Sequence, residues 1–435
     1  MKRLIFLVVF IFCYVISLSH PVHPVTPYAW KKGDGSRKKP YLIETPAHLY
    51  YLSLQVNNGN NYENMHFRLT NNIDLEGNKE NQWAPIGTVE HPFKGHFNGN
   101  HFEITNLYVE NYTTDYTGLF GYVHEGSIEN TGISEQGFIV GKNNVGGIVG
   151  YQMSGNIYNC YNKTSVHGEN NVGGIVGYQY SVNVKSCFNM GDVNGKWYIG
   201  GIMGTAYANS HVCHCFNTGN IRGENYVGGI AGKVDGYNHK ASLTNCYQES
   251  LFNKIGLIGI GISVECSNCY YTDVAGMKQA TYGTPLTNKE MAANSFFMKL
   301  TGTENTWTPD KEPCINSGYP ILASIKYRGV FTNEATDITD ESAILQGNFI
   351  GKDETVLQRG FEYRAKDSLQ FTTVFVDSDS FSYNLTPLIS YMTYEFVAFV
   401  ITDKGKIRGR NVEFRTLNKH HHHHDDHQHI LDHTH

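Results

Sequence analysis

The sequence has little charge and no excess of positive charge. Charged residues make up 17% of its 435 residues, and 34 Lys and Arg against 40 Asp and Glu give a formal net charge of −6. Nucleic-acid binding needs a basic surface that neutralises phosphates. We therefore expect no nucleic-acid partner.

Cysteine and long apolar runs are scarce as well. Of nine cysteines, Cys13 lies in the N-terminal leader, and the eight others are too few for a disulfide scaffold of this size. The leader has Lys2-Arg3, an apolar run to Leu18 and small residues after it. This pattern predicts a signal peptide over 1–19, with an uncleaved N-terminal anchor as the alternative. We expect a secreted or cell-surface protein with no transmembrane span after signal removal.

Signatures of hydrolytic enzymes are missing. A metalloprotease needs His-Glu-x-x-His on a helix, where the two His bind zinc and the Glu acts as general base. The nearest match, from His124 to Ile128, has no second His, and no Gly-x-Ser-x-Gly elbow is present. The sequence therefore predicts a protein without enzymatic activity.

What the sequence has instead is a glycine signature that recurs six times. Its copies begin at positions 118, 147, 174, 201, 229 and 256, so they are 29, 27, 27, 28 and 27 residues apart. A period in the twenties indicates a stack of similar coils, each of which needs a neighbour to bury its apolar side. Because 110–275 has short β-branched runs and no helical periodicity, we predict a right-handed parallel β-helix.

Equivalent residues of successive coils should form ladders about 4.8 Å apart. Repeated glycines indicate either positive φ or close backbone approach. Three columns can be named. The inward cysteine column contains Cys160, Cys187, Cys215, Cys246 and Cys269, and the aromatic column beside it contains Tyr161, Phe188, Phe216, Tyr247 and Tyr270. The asparagine column, which should satisfy turn backbone groups, contains Asn162, Asn189 and Asn217.

Three interpretations of the cysteine column stay open. Buried cysteines pack as small hydrophobic residues, but neighbouring coils also bring thiols within disulfide range, and a thiol column could bind a metal. The local cluster His211, Cys213, His214 and Cys215 has ligand-like composition without the spacing of a zinc finger.

Other segments surround the repeats. Residues 28–110 should form an N-terminal cap and the first coils, with a helix at 46–57 and a hairpin or tight turn at Asn98-Gly99. Residues 276–327 should form a C-terminal cap with a helix from Thr287 to Leu300, which begins with a capping box to Glu290. About seven short strands predict a β-sandwich over 328–417, in which Tyr391 should form a buried tyrosine corner.

The glycine signature resembles that of the GLUG-repeat family of exported bacterial proteins. Gly118-Leu119-Phe120-Gly121 is close to the motif that names the family, and the later Gly-Gly-Ile-x-Gly copies in 111–275 look like its variants. Residues 328–417 are similar to the fibronectin type III-like modules that accompany such arrays. The resemblance implies an all-β architecture: a capped β-helix followed by a fibronectin type III-like sandwich.

Two functions are compatible with these observations. The first is a non-catalytic adhesion or ligand-binding protein whose partner is a glycan or protein on a host or microbial surface. Tyr122, Tyr151 and Tyr178 are its candidate ligand-binding residues, unless they only shield the coil edges. The second is a polysaccharide lyase or glycoside hydrolase, which rests on fold analogy. A glycosidase needs two carboxylates ~5–10 Å apart, whereas the repeat carboxylates fall in different turns of the repeat: Glu169, Asp192 and Glu224.

The C-terminal residues 418–435 cannot build a core and should form a disordered arm. Imidazoles bind zinc, copper and nickel, so the arm should bind adventitious zinc or nickel, although a purification tag is an alternative origin. No other cofactor is expected. The candidate ligands are His420, His421, His422, His423, His424, His427, His429, His433 and His435.

We predict that zinc titrated into the intact protein binds this arm and is released below about pH 6, because protonated histidine cannot bind a metal. A truncated 1–417 protein is the control. Equal zinc binding by both proteins, measured by calorimetry, would contradict the assignment.

Overall fold

The computed structural model describes residues 25–249, 255–273, 282–293, 295–301, 306–311, 315–325, 329–351, 354–377, 381–409 and 411–418. The predicted signal peptide and the histidines of the C-terminal arm lie outside the described residues. In the described part, no helix is long and apolar enough to cross a membrane.

A parallel β-solenoid of about eight turns forms most of the fold, which confirms the β-helix prediction. Its strands stack into five ladders, called A to E here. Each full coil passes through A, B, D, E and C in that order, because the short apolar runs are separated by turns.

The ladders contain these strands. Ladder A: Tyr41–Ile43, His66–Leu69, His96–Asn98, Ser127–Glu129, Asn156–Tyr158, Asn183–Lys185, His211–Cys213, Ala241–Thr244, Val264–Ser267. Ladder B: Ile73–Asp74, Glu103–Thr105, Gly132–Ile133, Tyr161–Asn162, Phe188–Asn189, Phe216–Asn217, Tyr247–Gln248, Tyr270–Thr272, Thr284–Leu286. Ladder C: Phe120–His124, Val149–Met153, Val176–Tyr180, Met203–Tyr207, Ala231–Asp235, Ile258–Ile262. Ladder D: Leu107–Glu110, Gly137–Val140, Ser165–His167, Val193–Asn194, Ile221–Arg222. Ladder E: Asn143–Gly146, Asn170–Gly173, Trp197–Gly200, Asn225–Gly228.

The cysteine column lies inside the solenoid, as predicted. Cys160, Cys187, Cys215 and Cys246 are fully buried, and Cys269 nearly so. All five are free thiols that donate to main-chain carbonyls; the Cys187 thiol, for example, lies 3.3 Å from the Lys185 oxygen. This geometry supports the packing interpretation over the disulfide one. Burial raises the pKa of the Cys187 thiol well above its ordinary value.

The asparagine column satisfies turn carbonyls, as predicted. The Asn189 amide donates to the Gly191 carbonyl at 2.7 Å and to the Asn217 side chain at 2.8 Å. Asn162 makes the equivalent bonds one coil earlier. These bonds pair amides that are fully buried, where an unpaired polar group would cost free energy.

The N-terminal region begins with a helix at Pro46–Asn57, whose N-cap Thr45 accepts a hydrogen bond from the His48 N–H. Its apolar residues contribute to the solenoid core. A tight turn follows Asn98, in which the Phe102 N–H donates to the Gly99 carbonyl at 2.9 Å, but the hairpin alternative is wrong. The strands His96–Asn98 and Glu103–Thr105 pair in parallel with other coils, in ladders A and B.

The C-terminal segment differs from the predicted cap. Its strand Thr284–Leu286 extends ladder B, and the capping box of Thr287 and Glu290 is present. The predicted single helix is two short ones, Asn288–Met291 and Phe296–Thr301. The segment then returns along the solenoid flank, where its apolar residues pack on the aromatic column of ladder B: Leu286, Met291, Phe296, Leu300, Trp307, Tyr319, Leu322 and Ile325. It also contains the antiparallel pair Trp307–Thr308 and Ile321–Leu322.

The last part of the chain forms two antiparallel sheets over one apolar core. The first sheet has the order Gly329–Thr332, Ala343–Ile350, Ser382–Leu385. The second has the order Thr372–Val376, Val356–Ala365, Thr393–Thr402, Gly405–Arg408, with Val412–Arg415 also pairing to Thr393–Thr402.

The tyrosine-corner prediction is wrong in its residue. Tyr391 is 58% exposed, and the Arg415 guanidinium lies 3.7 Å from its ring centroid. Tyr394 is buried instead, and its hydroxyl accepts the Ile389 N–H at 2.9 Å. The turn places Tyr391 in the left-handed region, which directs its ring away from the core.

Replacing Cys187 with Asp should lower the free energy of unfolding by about 3–5 kcal/mol, because an uncompensated charge would be buried. Urea denaturation measures the loss. Cys187→Ser is the control, since a hydroxyl can donate to the same carbonyl. Equal losses for both variants would contradict the inward position.

Tyr394→Phe should destabilise the two-sheet region by about 0.5–1.5 kcal/mol, because the Ile389 N–H loses its acceptor. Tyr391→Phe removes an exposed hydroxyl and should leave the denaturation midpoint unchanged. The reverse result would restore Tyr391 as the corner residue.

Candidate functional site

The three candidate tyrosines form one column on the outer face of ladder C. Tyr151 is in register with Tyr122 on one side and Tyr178 on the other. Their rings stack nearly in parallel, with centroids 4.8 Å apart for Tyr122 and Tyr151 and 5.0 Å apart for Tyr151 and Tyr178. These distances lie in the range of favourable aromatic pairs.

Strand alternation explains why these rings face outward. The neighbouring residues Gln152 and Gln179 point inward and are fully buried. The tyrosines themselves are half-buried. Desolvation is the main cause that raises their pKa values, and it raises the pKa of Tyr178 to about 12. The phenols are therefore neutral hydrogen-bonding groups at physiological pH.

The stack limits what the column can bind. Both faces of Tyr151 are covered by its neighbours, so a ligand can reach mainly the edge of this ring. The stack ends at Tyr178, since the residue in register on the next coil is Thr205. A flat ligand therefore cannot stack on Tyr151 and needs the face of another aromatic ring.

Such faces occur beyond the end of the stack, in what we call the aromatic patch. Its members are more exposed than the column: Tyr180 37%, Trp197 41%, Tyr226 39% and Tyr237 60%, with the half-buried Tyr198 and Tyr207 between them. Tyr207 lies between Tyr180 and Tyr237, at centroid distances of 5.7 and 5.6 Å. Trp197 lies 5.7 Å from Tyr226.

An ion pair lies between the two groups of rings in the patch, Tyr180, Tyr207 and Tyr237 on one side and Trp197, Tyr198 and Tyr226 on the other. The Lys233 ammonium lies 3.1 Å from the Asp235 carboxylate and 5.9 Å from the Tyr198 ring centroid. Asp235 is in register with Tyr207. The patch thus combines aromatic faces with charged hydrogen-bonding groups.

Sequence reasoning missed the patch, because Trp197 and Tyr237 do not recur in the other coils, and the pairs Tyr180 and Tyr207, and Tyr198 and Tyr226, each recur in two coils only. The strand pairing gives the signal that could have found it. Trp197 occupies the position of Asn170 and Asn225 in neighbouring coils, and Tyr207 that of Tyr180.

The His and Cys cluster does not converge. The His211 ring bonds to the Ser242 hydroxyl at 2.7 Å, the His214 ring bonds to Asn245 at 3.0 Å, and Cys215 points into the core. Among the described residues, no three His, Cys, Asp or Glu side chains are grouped to hold a metal ion.

The repeat carboxylates are also dispersed. Glu169 pairs with Lys196 at 3.0 Å, Asp192 accepts from Asn220 at 3.1 Å, and Glu224 is exposed. Two other carboxylates, Glu135 and Glu249, line one cavity of about 280 Å³. Four coils separate them by ~19 Å at the strand spacing of parallel sheets, which exceeds the ~5–10 Å that glycosidases need.

Sequence comparison supports a GLUG-repeat family for the solenoid. A family model described as "The GLUG motif" matches residues 141–166. The chain is 33% identical over 172 residues to a "Putative Gly-rich membrane protein" of Evansella cellulosilytica, a match that covers 38% of this chain and 19% of the relative. It is 31% identical over 121 residues to "Halomucin" of Haloquadratum walsbyi, which covers 27% of this chain and 1% of that protein. The chain therefore spans about a fifth or less of the length of these relatives.

Solved structures similar to part of the chain include "Myokine structure", at 18% identity and a TM-score of 0.19, which covers 21% of this chain and 97% of its own. Another is the FN3 domain of human collagen XX, at 20% identity and a TM-score of 0.19, which covers 21% of this chain and 93% of its own. TM-scores this low carry no argument.

Proposed function

We propose that the protein is an exported, non-catalytic surface or secreted protein that binds a glycan on a host or microbial surface through its rigid β-helix. The observation that carries the proposal is the aromatic patch, where ring faces remain exposed on a solenoid whose apolar residues are otherwise largely buried. Exposed groups of large apolar side chains mark binding sites more often than scattered single ones do.

The chemistry of the patch suits a sugar ring. An aromatic ring offers a flat apolar face to the C–H groups of a pyranose, and the Tyr hydroxyls can bond its hydroxyls. Lys233 and Asp235 add charged donors and acceptors between the rings. The three stacked tyrosines then serve as a stiff edge next to the patch, with Tyr178 as the member that adjoins it.

An extracytoplasmic location supports this function. The predicted leader favours export, and the two relatives carry the names of a membrane protein and a halomucin. Neither name describes an enzyme.

We further propose that the two-sheet region is a fibronectin type III-like module. What supports this is the strand order: the first, second and fifth strands form one sheet, while the fourth, third, sixth and seventh form the other. The eighth strand pairs with the same sixth strand, beyond the segment that the seventh covers. In the conventional strand lettering of such sandwiches, which is separate from the ladder letters used above, these sheets are A-B-E and C′-C-F-G.

The alternative, a polysaccharide lyase or hydrolase, has less support. The carboxylates that share a cavity are too far apart for acid–base hydrolysis, as argued above. Sequence and geometry together therefore favour binding over catalysis.

On a glycan array, the full-length protein should bind a defined set of glycans. The double variant Trp197→Ala, Tyr226→Ala should lose at least about tenfold in affinity, because two aromatic faces disappear. Tyr112→Ala is the matched control, since Tyr112 is 65% exposed and lies outside the patch.

Equal binding by the double variant and the control would refute the patch as the site. Binding of a protein ligand, but of no glycan, would refute the assignment of the ligand class.

A further inference from the structure

A polar groove follows the outer face of ladder A. Two cavities of about 480 Å³ each lie along it and share Ser127 and Glu129 in their linings, so they form one continuous groove. It extends from strand His66–Leu69 to strand His211–Cys213, which are five strand spacings apart, or ~24 Å.

The floor of the groove carries a column of hydrogen-bonding side chains in register. His66 is in register with His96 on the next strand, and the column continues through Ser127, Asn156, Asn183 and His211. Tyr158, 36% exposed, lies in the adjacent column and lines the second cavity. Hydroxyls and amides at regular intervals suit a linear chain of sugars.

One end of the groove is cationic, although the whole chain has a net charge of −6. Arg37 and Arg68 are exposed and line the same cavity as His66 and His96. Among the described residues, no carboxylate forms an ion pair with either arginine. The one carboxylate in the lining, Glu129, accepts a hydrogen bond from Asn98 at 2.8 Å.

The histidines are held in place beside the arginines. Their rings stack with centroids 4.5 Å apart, and the His96 Nδ1 bonds to the Ser127 hydroxyl at 2.8 Å. A guanidinium offers a planar fork of donors that matches a carboxylate, and histidine adds a donor or a positive charge.

We propose that this groove binds an extended acidic polysaccharide, with a sugar carboxylate in the cavity that Arg37, Arg68, His66 and His96 line. The proposal rests on the proposed function only in taking a glycan as the ligand. It assigns a second surface, on ladder A, that differs from the aromatic patch on ladders C and E.

The site should bind more tightly as the pH falls. Burial is the main cause that lowers the pKa of both histidines from the ordinary 6.5. A charged His96 lowers the pKa of His66 further, Arg37 acts in the same direction on both rings, and Glu129 opposes the shift for His96. Arg68 also faces the cavity. Both rings are therefore mainly neutral at pH 7. A bound carboxylate favours the charged imidazole, so protonation and binding are linked, and a sugar carboxylate is still ionised at pH 5.5.

The test is titration calorimetry of the full chain with an oligogalacturonate. The double variant Arg37→Gln, Arg68→Gln should lose at least tenfold in affinity. Lys79→Gln, Lys311→Gln removes the same charge from two exposed residues outside the groove and should stay within twofold of the parent protein. Affinity of the parent should rise from pH 7.5 to pH 5.5, and His66→Asn, His96→Asn should abolish the rise.

Equal losses for the two charge variants would overturn the site, since they would show long-range attraction only. Equal affinity for the methyl-esterified oligomer would show that the site does not recognise a carboxylate. Equal affinity for monomeric galacturonate or inorganic phosphate would show that the ligand is not an extended polysaccharide. Retained binding by Trp197→Ala, Tyr226→Ala is expected. If that variant lost binding to neutral glycans on the array but kept its affinity for the oligogalacturonate, the loss would concern the aromatic patch and not the groove.

Discussion

In-register stacking of the coils is the constraint on which the rest of the structure depends. At Gly174, an added Cβ would collide with the Gly201 carbonyl oxygen and with the Asn189 side chain, and the same holds for Gly147 and Gly201 in their coils. Glycine is required there because the backbones approach closely. The buried asparagine column can form its bonds only while this approach is kept. Glycines and asparagines therefore repeat together.

The same constraint separates the inner residues from the outer ones. Most inward positions keep apolar side chains from coil to coil, because they share a closely packed core; the buried Gln152 and Gln179 of ladder C are exceptions. At outward positions, only the backbone conformation needs to match from coil to coil, and the side chain can vary. The outer column of ladder C consequently changes from three tyrosines to Thr205 and Lys233, and that of ladder A from histidines to Ser127 and Asn156. On the surfaces that a ligand can reach, the side chains therefore differ in charge, aromatic character and hydrogen-bonding groups from coil to coil.

This division explains what the sequence could predict. The solenoid and the buried cysteine and asparagine columns follow from spacing alone. The glycines were expected to supply either positive φ or close approach; at the glycine pairs the structure shows the second. Positive φ falls instead on non-glycine corner residues, among them Asn159, Ser186, His214 and Asn245 in one column. Asparagine tolerates this region, but the varied identities conceal the column from a search for repeats.

Non-local packing explains the remaining differences. Tyr391 lies in the turn before the long strand Thr393–Thr402, and Tyr394 is the second residue of that strand. The turn, rather than the spacing, therefore decides which ring faces the core. The return of the C-terminal segment along the solenoid depends on contacts between distant residues, such as the 2.6 Å bond from the Ser324 hydroxyl to Asn159. The aromatic patch was missed because Trp197 and Tyr226 stand at positions where other coils have asparagine.

The two aromatic columns of the solenoid show how burial separates structural from available rings. Tyr161, Phe188, Phe216 and Tyr247 stack at 4.8–5.1 Å on ladder B, as the tyrosines do on ladder C. The C-terminal segment covers the ladder B column, where Trp307 lies 5.5 Å from the Tyr247 ring. In the described ranges, Trp197, Tyr226 and Tyr237 on the other side have no comparable cover. Burying a large aromatic side chain is strongly favourable, so the open rings of the patch retain surface that a ligand can bury.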